Sequence, residues 1–114
     1  MKYVKIIEQQ VEAYNARDLN TFASLFSPTI KVFEFNNSDP SIVGLKALRS
    51  AYAAVFEDSP ALHATVINRI SIGNKVIDHE HITGRAGVNF IDLVVIYEVK
   101  DQLIQRVSYI RANP

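Results

Sequence analysis

The apolar residues of this chain change their spacing near residue 60, and that change constrains the fold more than any other feature. Before it, they mostly recur every three or four residues, as on a helix that buries one face. After it, they recur every second residue, as on a strand. Helices and strands that are segregated along a chain are typical of an α+β fold. The length of 114 residues predicts a single domain, 1–114.

Three helices and one strand are predicted in the first half of the chain. The first helix covers residues 2–16, and Asp18 is suited to cap the N-terminus of a short second helix. That helix is expected to end at Ser27-Pro28, because the residue before a proline avoids the helical region. A β-branched and aromatic strand, Ile30–Phe35, follows it. The third helix is predicted over residues 45–56.

The second half predicts a four-stranded meander. Its apolar residues alternate with polar ones, and the strands are separated by short turn-forming segments, which favour antiparallel hairpins. The four predicted strands are Leu62–Ile72, Val76–Thr83, Phe90–Val99 and Leu103–Ile110.

Composition excludes several classes of function. Formal net charge is zero and no basic patch occurs, so we expect neither nucleic acid nor an anionic membrane surface as a partner. The chain has no Cys, which excludes thiol catalysis and disulfides. No apolar run approaches the roughly 20 residues that span a bilayer, and the first ten residues do not resemble a signal peptide. We therefore expect a soluble, cytoplasmic protein.

Three stretches carry a resemblance to a known family: YNARDLNTFASLF (Tyr14–Phe26), IVGLKALRSAYAAVF (Ile42–Phe56) and IYEVKDQLIQRVSYI (Ile96–Ile110). In this order they resemble the NTF2-like superfamily, and within it SnoaL-like or ketosteroid-isomerase-like domains, although Gln102 stands where a Gly is common. The resemblance implies a cone in which three N-terminal helices pack on a curved antiparallel sheet around an apolar cavity. It also implies a homodimer through the convex face of the sheet.

Such domains include isomerases, cyclases, hydrolases and proteins that only bind a ligand, so the fold does not determine the function. Alignment with ketosteroid isomerase places its base carboxylate at Glu34, which Phe33 and Phe35 would desolvate and make more basic. The tyrosine and the second acid of that enzyme fall near Gln10 and Val95, which cannot replace them. Ketosteroid isomerisation itself is therefore not expected.

A second arrangement in the superfamily resembles an arginine between two acids that activate a water. Arg106 is the candidate arginine, and Glu34, Asp78 or Glu80 would flank it. A buried guanidinium needs such partners, because an unpaired charge away from water is costly. The alternative is an ion pair with a purely structural role.

The segment VIDHEH, residues 76–81, allows three interpretations. With a two-residue turn at 73–74, His79 and His81 would face the core with the apolar set of the preceding strand, Leu62, Ala64, Val66, Ile70 and Ile72. His63 would then point to the other face, so no metal site is predicted. One extra residue or a bulge would instead bring Asp78 and Glu80 inward. The resemblance favours Glu80 inward, and a polar outer face is the third interpretation.

These patterns predict binding of a small apolar organic ligand in a cone cavity, with carboxylate-based isomerase or hydrolase chemistry. Glu34, Glu80 and Arg106 are the candidate catalytic residues, and no metal or other cofactor is implied. A non-catalytic ligand-binding or dimerisation module is the alternative. The candidate ligand-binding residues are Tyr14, Phe26, Phe33, Tyr52, Phe56, Asp78, Leu93 and Tyr97.

Overall fold

The computed structural model describes residues 2–112, in which three helices precede or interrupt the strands of one sheet. Met1, Asn113 and Pro114, which the predicted domain 1–114 includes, lie outside the described residues. In chain order the elements are α1 (Lys2–Ala16), α2 (Leu19–Ser24), β1 (Phe26–Glu34), β2 (Ile42–Val43), α3 (Leu45–Asp58), β3 (His63–Ile72), β4 (Lys75–Thr83), β5 (Phe90–Lys100) and β6 (Leu103–Arg111).

The helices follow the predicted pattern, with one difference at the end of α2. Asp18 caps α2, since its side chain accepts a hydrogen bond of 3.2 Å from the Thr21 backbone N–H. The helix ends at Ser24 and the chain enters β1 directly, so Phe26 lies on a strand rather than on a helix. The pairing of β1 with β6 is irregular between Phe26 and Lys31, which accommodates Pro28, a residue without a backbone N–H.

The six strands form one sheet in the order β2-β1-β6-β5-β4-β3. The predicted α+β fold is confirmed, but the sheet is mixed rather than wholly antiparallel, because β1 pairs in parallel with β6. Between β1 and β6 the chain passes through α3 and strands β3 to β5. This long connection allows β6 to lie beside β1 in the same direction. The two-residue strand β2 was not predicted, since a pair of apolar residues carries no detectable period.

The hairpin of β3 and β4 combines two features that the sequence presented as alternatives. A two-residue turn pairs Ile72 with Lys75, and a bulge at Ile67 then shifts the register. Val66 therefore lies opposite Glu80, which faces the interior. Beyond the bulge the inward positions of β3 change, so Ile70 and Ile72 are 56% and 64% exposed. The expectation that both face the core was wrong.

The core lies between the three helices and the inner face of the sheet. Its largest group is an aromatic cluster that joins α1, α2, α3 and β1, with ring centroids 4.8–6.3 Å apart; its members are Tyr14, Phe22, Phe26, Tyr52 and Phe56. Phe22 and Phe26 are almost fully buried. None of the helices between residues 2 and 112 is long and apolar enough to cross a membrane.

Candidate functional site: a polar cavity under the helices

A cavity of about 80 Å³ lies between α1, α3 and the inner face of strands β3 to β6. It is lined by Gln10, Val11, Tyr14, Tyr52, Val55, Ala64, Glu80, Ile82, Arg85, Ile91, Leu93, Tyr97, Tyr109 and Arg111. Arg85 and Arg111 are the exposed members of this lining and mark its mouth. A larger groove of about 530 Å³ runs between α1 and the β5–β6 turn, but no residue that lines it is buried.

Glu80 is the acidic residue of the cavity lining. Its place on β4, next to the bulge of β3, turns its side chain inward, where it is only 5% exposed. The Tyr97 hydroxyl donates a hydrogen bond of 3.1 Å to Glu80 Oε2. Burial, with a further contribution from the charge of Asp78, raises the pKa of Glu80 to about 7. Glu80 therefore gains and loses its proton near neutral pH, as a general acid or base must.

Asp78 lies two residues before Glu80 and is fully buried, yet it does not line the cavity. The Arg69 guanidinium donates two hydrogen bonds to its carboxylate, from Nε at 2.6 Å and from Nη2 at 2.8 Å. Such a bidentate pair satisfies a buried carboxylate with charge-assisted hydrogen bonds. Asp78 is therefore held by Arg69 beside Glu80 and does not lie where it could contact a ligand in the cavity.

Two tyrosine hydroxyls on opposite walls contact each other across the cavity. Tyr52 Oη of α3 and Tyr109 Oη of β6 are 2.6 Å apart. Burial raises the pKa of both residues, so both phenols keep their protons. One hydrogen bond uses only one of the two protons, and the second O–H is left to donate to a ligand. Gln10 Oε1 is buried without a hydrogen-bond partner in residues 2–112, so it is an available acceptor.

Glu34 lies at the mouth rather than inside the cavity. Its carboxylate accepts two hydrogen bonds from Arg111, from Nε at 2.7 Å and from Nη2 at 3.1 Å, and its side chain is 37% exposed. Phe35, which was expected to shield it, is 61% exposed. The predicted desolvation of Glu34 was therefore wrong, because its strand ends at this residue.

Arg106 lies on the outer face of the sheet, where it does not contact the cavity. Its guanidinium covers the ring of Phe33, 3.9 Å from the centroid, and its Nε is 3.5 Å from Glu98. Glu34, Glu80 and Arg106 do not converge as expected. On β6 the side chains of Val107, Tyr109 and Arg111 face inward, so Arg106 faces outward. Phe33 is buried beneath Arg106 and forms no wall of the cavity.

The other candidate ligand-binding residues divide into two groups. Tyr14, Tyr52, Leu93 and Tyr97 line the cavity, and their role in binding stays a prediction. Phe26 and Phe56 pack in the aromatic cluster outside it.

Sequence reasoning missed four polar residues of the lining: Gln10, Arg85, Tyr109 and Arg111. Tyr109 and Arg111 follow the buried Val107 at every second position, so the strand period contained the signal that both face inward. Gln10 was considered only at the position of the ketosteroid isomerase tyrosine, and its own amide was not considered as a polar group of the cavity. The loop that carries Arg85 has no period to interpret.

The histidines lie on the outer face of the sheet. His79 is exposed, and His81 Nδ1 is 2.8 Å from Asp92 Oδ1 while its ring stacks on Phe90 at 5.3 Å. The bulge in β3 places His63 on this face as well, contrary to the expected opposite orientation. In the part of the chain that the structure describes, no three His, Asp or Glu side chains are grouped closely enough to hold a metal ion.

The sequence profile of the SnoaL-like domain matches residues 7–107. The chain belongs to the SnoaL-like domain family. The resemblance expected from the three sequence stretches is therefore confirmed, and the NTF2-like fold agrees with similar solved structures. No functionally curated protein matches the sequence.

Three solved structures illustrate the similarity. An uncharacterised cystatin-fold protein from Novosphingobium aromaticivorans is 26% identical, with a TM-score of 0.89 over 97% of this chain and 99% of that one. A protein provisionally assigned as a SnoaL-like polyketide cyclase from Jannaschia sp. CCS1 is 16% identical, with a TM-score of 0.79 over 97% and 85%. A ketosteroid isomerase-like fold from Catenulispora acidiphila, solved with trimethylamine, is 13% identical, with a TM-score of 0.75 over 91% and 82%.

Proposed function

We propose that this SnoaL-like domain binds a small organic carbonyl compound in its cavity and that Glu80 transfers a proton to or from it. The observation that supports this proposal most directly is a carboxyl group that is 5% exposed, faces a cavity and has a pKa of about 7. Perturbed carboxyl groups in clefts are typical of sites that move protons.

The polar groups of the cavity suit an isomerase-type reaction. The carboxylate of Glu80 would remove a proton from the carbon next to a carbonyl, and the C–H electron pair would form an enolate. The free O–H of the Tyr52–Tyr109 pair would donate to the carbonyl oxygen as negative charge develops there. Glu80 would then return the proton to a carbon of the enolate, which restores the enzyme. Leu93, Ile82 and Val55 supply the apolar walls.

Exchange of carbon-bound hydrogen for solvent deuterium tests this function. We expect a panel of small neutral ketones to exchange faster with the protein than with buffer, and the rate to rise with pH through about 7 as Glu80 loses its proton. Glu80→Gln should abolish the exchange. Glu57→Gln, which changes an exposed carboxylate on α3, should not. Catalysed exchange that survives Glu80→Gln would exclude the proposal.

Ligand binding without turnover is the second candidate. It is favoured by the position of Glu34 and Arg106, the two predicted partners of Glu80, outside the cavity. Ketones that shift the NMR resonances of cavity residues, yet exchange no deuterium, would support this alternative.

We also propose that two copies associate through the outer face of the sheet. An apolar strip crosses this face over neighbouring strands and comprises Ile70, Ile77, Val94, Ile96 and Ile110. Ile70 is 56% exposed, and contiguous apolar surface of this kind marks an interaction site. The charged row beside the strip contains Lys75, Glu98 and Arg106, which carry both signs, so the same row on a second copy need not repel it.

A further inference from the structure

The mouth of the cavity carries two guanidinium groups, one from the β4–β5 loop and one from the end of β6. Arg85 and Arg111 both line the cavity, and both are exposed to solvent. The remaining charged residue of the lining, Glu80, is buried and loses much of its charge near neutral pH. The lining therefore carries an excess of positive charge, concentrated where a ligand would enter.

The loop that carries Arg85 is anchored on both sides of this residue. The Ala86 N–H donates a hydrogen bond of 3.0 Å to the hydroxyl of Ser59, which is 1% exposed. Gly84 has φ +77° and approaches the backbone of Ala61 so closely that a Cβ would overlap its carbonyl. These two contacts fix the backbone of Arg85 at the mouth. Its guanidinium has no hydrogen-bonded or ion-paired partner within residues 2–112, so it is available to a ligand.

Arg111 is oriented by hydrogen bonds to Glu34 rather than by backbone contacts of a loop. Glu34 accepts hydrogen bonds from Nε and Nη2 of Arg111, which orients the guanidinium plane and leaves Nη1 unused by the described residues. An oriented arginine loses less conformational entropy when it binds a second anion. Glu34 offsets the charge of Arg111, so Arg85 supplies the uncompensated charge and Arg111 a positioned donor.

Tyr14 and Tyr52 are influenced both by arginine at the mouth and by Glu80 in the interior. Burial raises the pKa of Tyr14 and of Tyr52 most; the charge of Glu80 adds to this rise, and the charge of Arg85 opposes it. These phenols therefore lie within electrostatic reach of both groups. A ligand that spans the cavity would place one end at the arginines and the other near Glu80.

We propose that the ligand is a small organic carboxylate, bound at the mouth by Arg85 and Arg111 with its uncharged end toward Glu80. This inference rests on the proposed function, because it assigns the charge class of the same ligand. Guanidinium groups recognise carboxylates through charge-assisted hydrogen bonds, and neutral carbonyl compounds cannot replace the charge.

Matched pairs of acids and primary amides test the charge class directly. Benzoate against benzamide, and butyrate against butyramide, would be titrated at pH 6 and low ionic strength, with binding followed by NMR chemical shifts. We expect each carboxylate to bind at least about tenfold more tightly than its amide. The preference should decrease as salt is added.

Three variants locate the source of this preference. Arg85→Met should lower carboxylate affinity about tenfold and leave amide affinity within about twofold. The double variant Glu34→Gln and Arg111→Met, which removes the mouth pair without leaving a lone carboxylate, should also lower carboxylate affinity. The control is Lys46→Met, which removes the same charge from the exposed side of α3 and should keep the preference.

Equal binding of acids and amides would overturn the inference, and so would failure of both carboxylates to bind. An equal loss of carboxylate affinity in Lys46→Met and Arg85→Met would overturn it too, since it would reveal an effect of net charge alone. None of these outcomes decides the proposed function, because that function is tested by deuterium exchange of neutral ketones and by Glu80→Gln.

Discussion

Glu34 and Glu80 show how the same residue type acquires different chemistry from its surroundings. Both lie on strands, Glu34 between Phe33 and Phe35 and Glu80 between His79 and His81. Glu34 is at the end of its strand, partly exposed and paired with Arg111. Glu80 is buried on the inner face, near the carboxylate of Asp78. Burial and a neighbouring like charge favour the protonated carboxyl of Glu80 and raise its pKa to about 7, so this group exchanges its proton near neutral pH.

Glu80→Gln should change the pH dependence of stability in a defined direction. Folding raises the pKa of Glu80 from 4.5 to about 7, so the folded state binds more protons between these values and stability falls as pH rises. The integrated loss in the wild-type protein is up to about 3 kcal/mol. Gln has no proton to lose, so we expect the variant to match the wild type near pH 4 and to be more stable at pH 8.

Urea denaturation across this pH range measures the difference. The wild type should be compared with Glu80→Gln and with Glu57→Gln as an exposed control. Parallel curves for Glu80→Gln and wild type would contradict the raised pKa.

The elements around the cavity are positioned by close backbone contacts as well as by apolar packing. The bulge at Ile67 aligns β3 with β4 so that Glu80 faces inward. The β4–β5 loop contacts the segment after α3 through Gly84 and Ser59. Each contact places a charged side chain at the cavity, and neither follows from the amphipathic pattern of the element concerned.

Gly84→Ala should move the β4–β5 loop, and Gly87→Ala offers a matched control. Both glycines have positive φ, +77° and +86°, but an added Cβ meets the backbone of Ala61 only at position 84. Gly87→Ala should cost about 1–2 kcal/mol of stability for its backbone conformation. Gly84→Ala should cost at least about 2 kcal/mol more and reduce carboxylate binding, because the loop carries Arg85.

Thermal or urea denaturation gives the two stabilities, and the benzoate titration gives the effect on binding. Equal destabilisation in Gly84→Ala and Gly87→Ala, with unchanged benzoate affinity, would show that the contact with Ala61 does not position Arg85.

At the scale of the whole molecule, the sheet separates two surfaces with different chemistry. The inner face meets the helices around the cavity and carries Glu80 and the tyrosines. The outer face carries the apolar strip, with His79 and His81 on one side of it and the Lys75, Glu98 and Arg106 row on the other. The proposed cavity chemistry and the proposed self-association therefore depend on opposite faces of the same strands.

Ile70→Asp should weaken the proposed dimer without unfolding the monomer, since Ile70 is 56% exposed. Sedimentation velocity should show a dimer for the wild type and a monomer for the variant, with unchanged circular dichroism. Val88→Asp, in the β4–β5 loop and 48% exposed, is the control and should remain a dimer. A wild-type protein that sediments as a monomer at high concentration would contradict the proposal.

The sequence by itself determined the fold class and most of the secondary structure, although not β2 or the point where α2 gives way to β1. Local features were sufficient for this: the helical spacing of α1, the cap at Asp18 and the alternation of the four meander strands each act within a few residues. The three stretches that resemble the SnoaL-like family added the prediction of a cone with a cavity.

Only the tertiary structure decided which polar residues meet. Alternation places Asp78 and Glu80 on one side of a strand, but the bulge at Ile67 decides that this side faces inward. Arg106 and Arg111 lie on the same strand, and its register places only Arg111 at the cavity. Register and loop position depend on contacts between distant segments, whereas a sequence pattern records only the period within one segment.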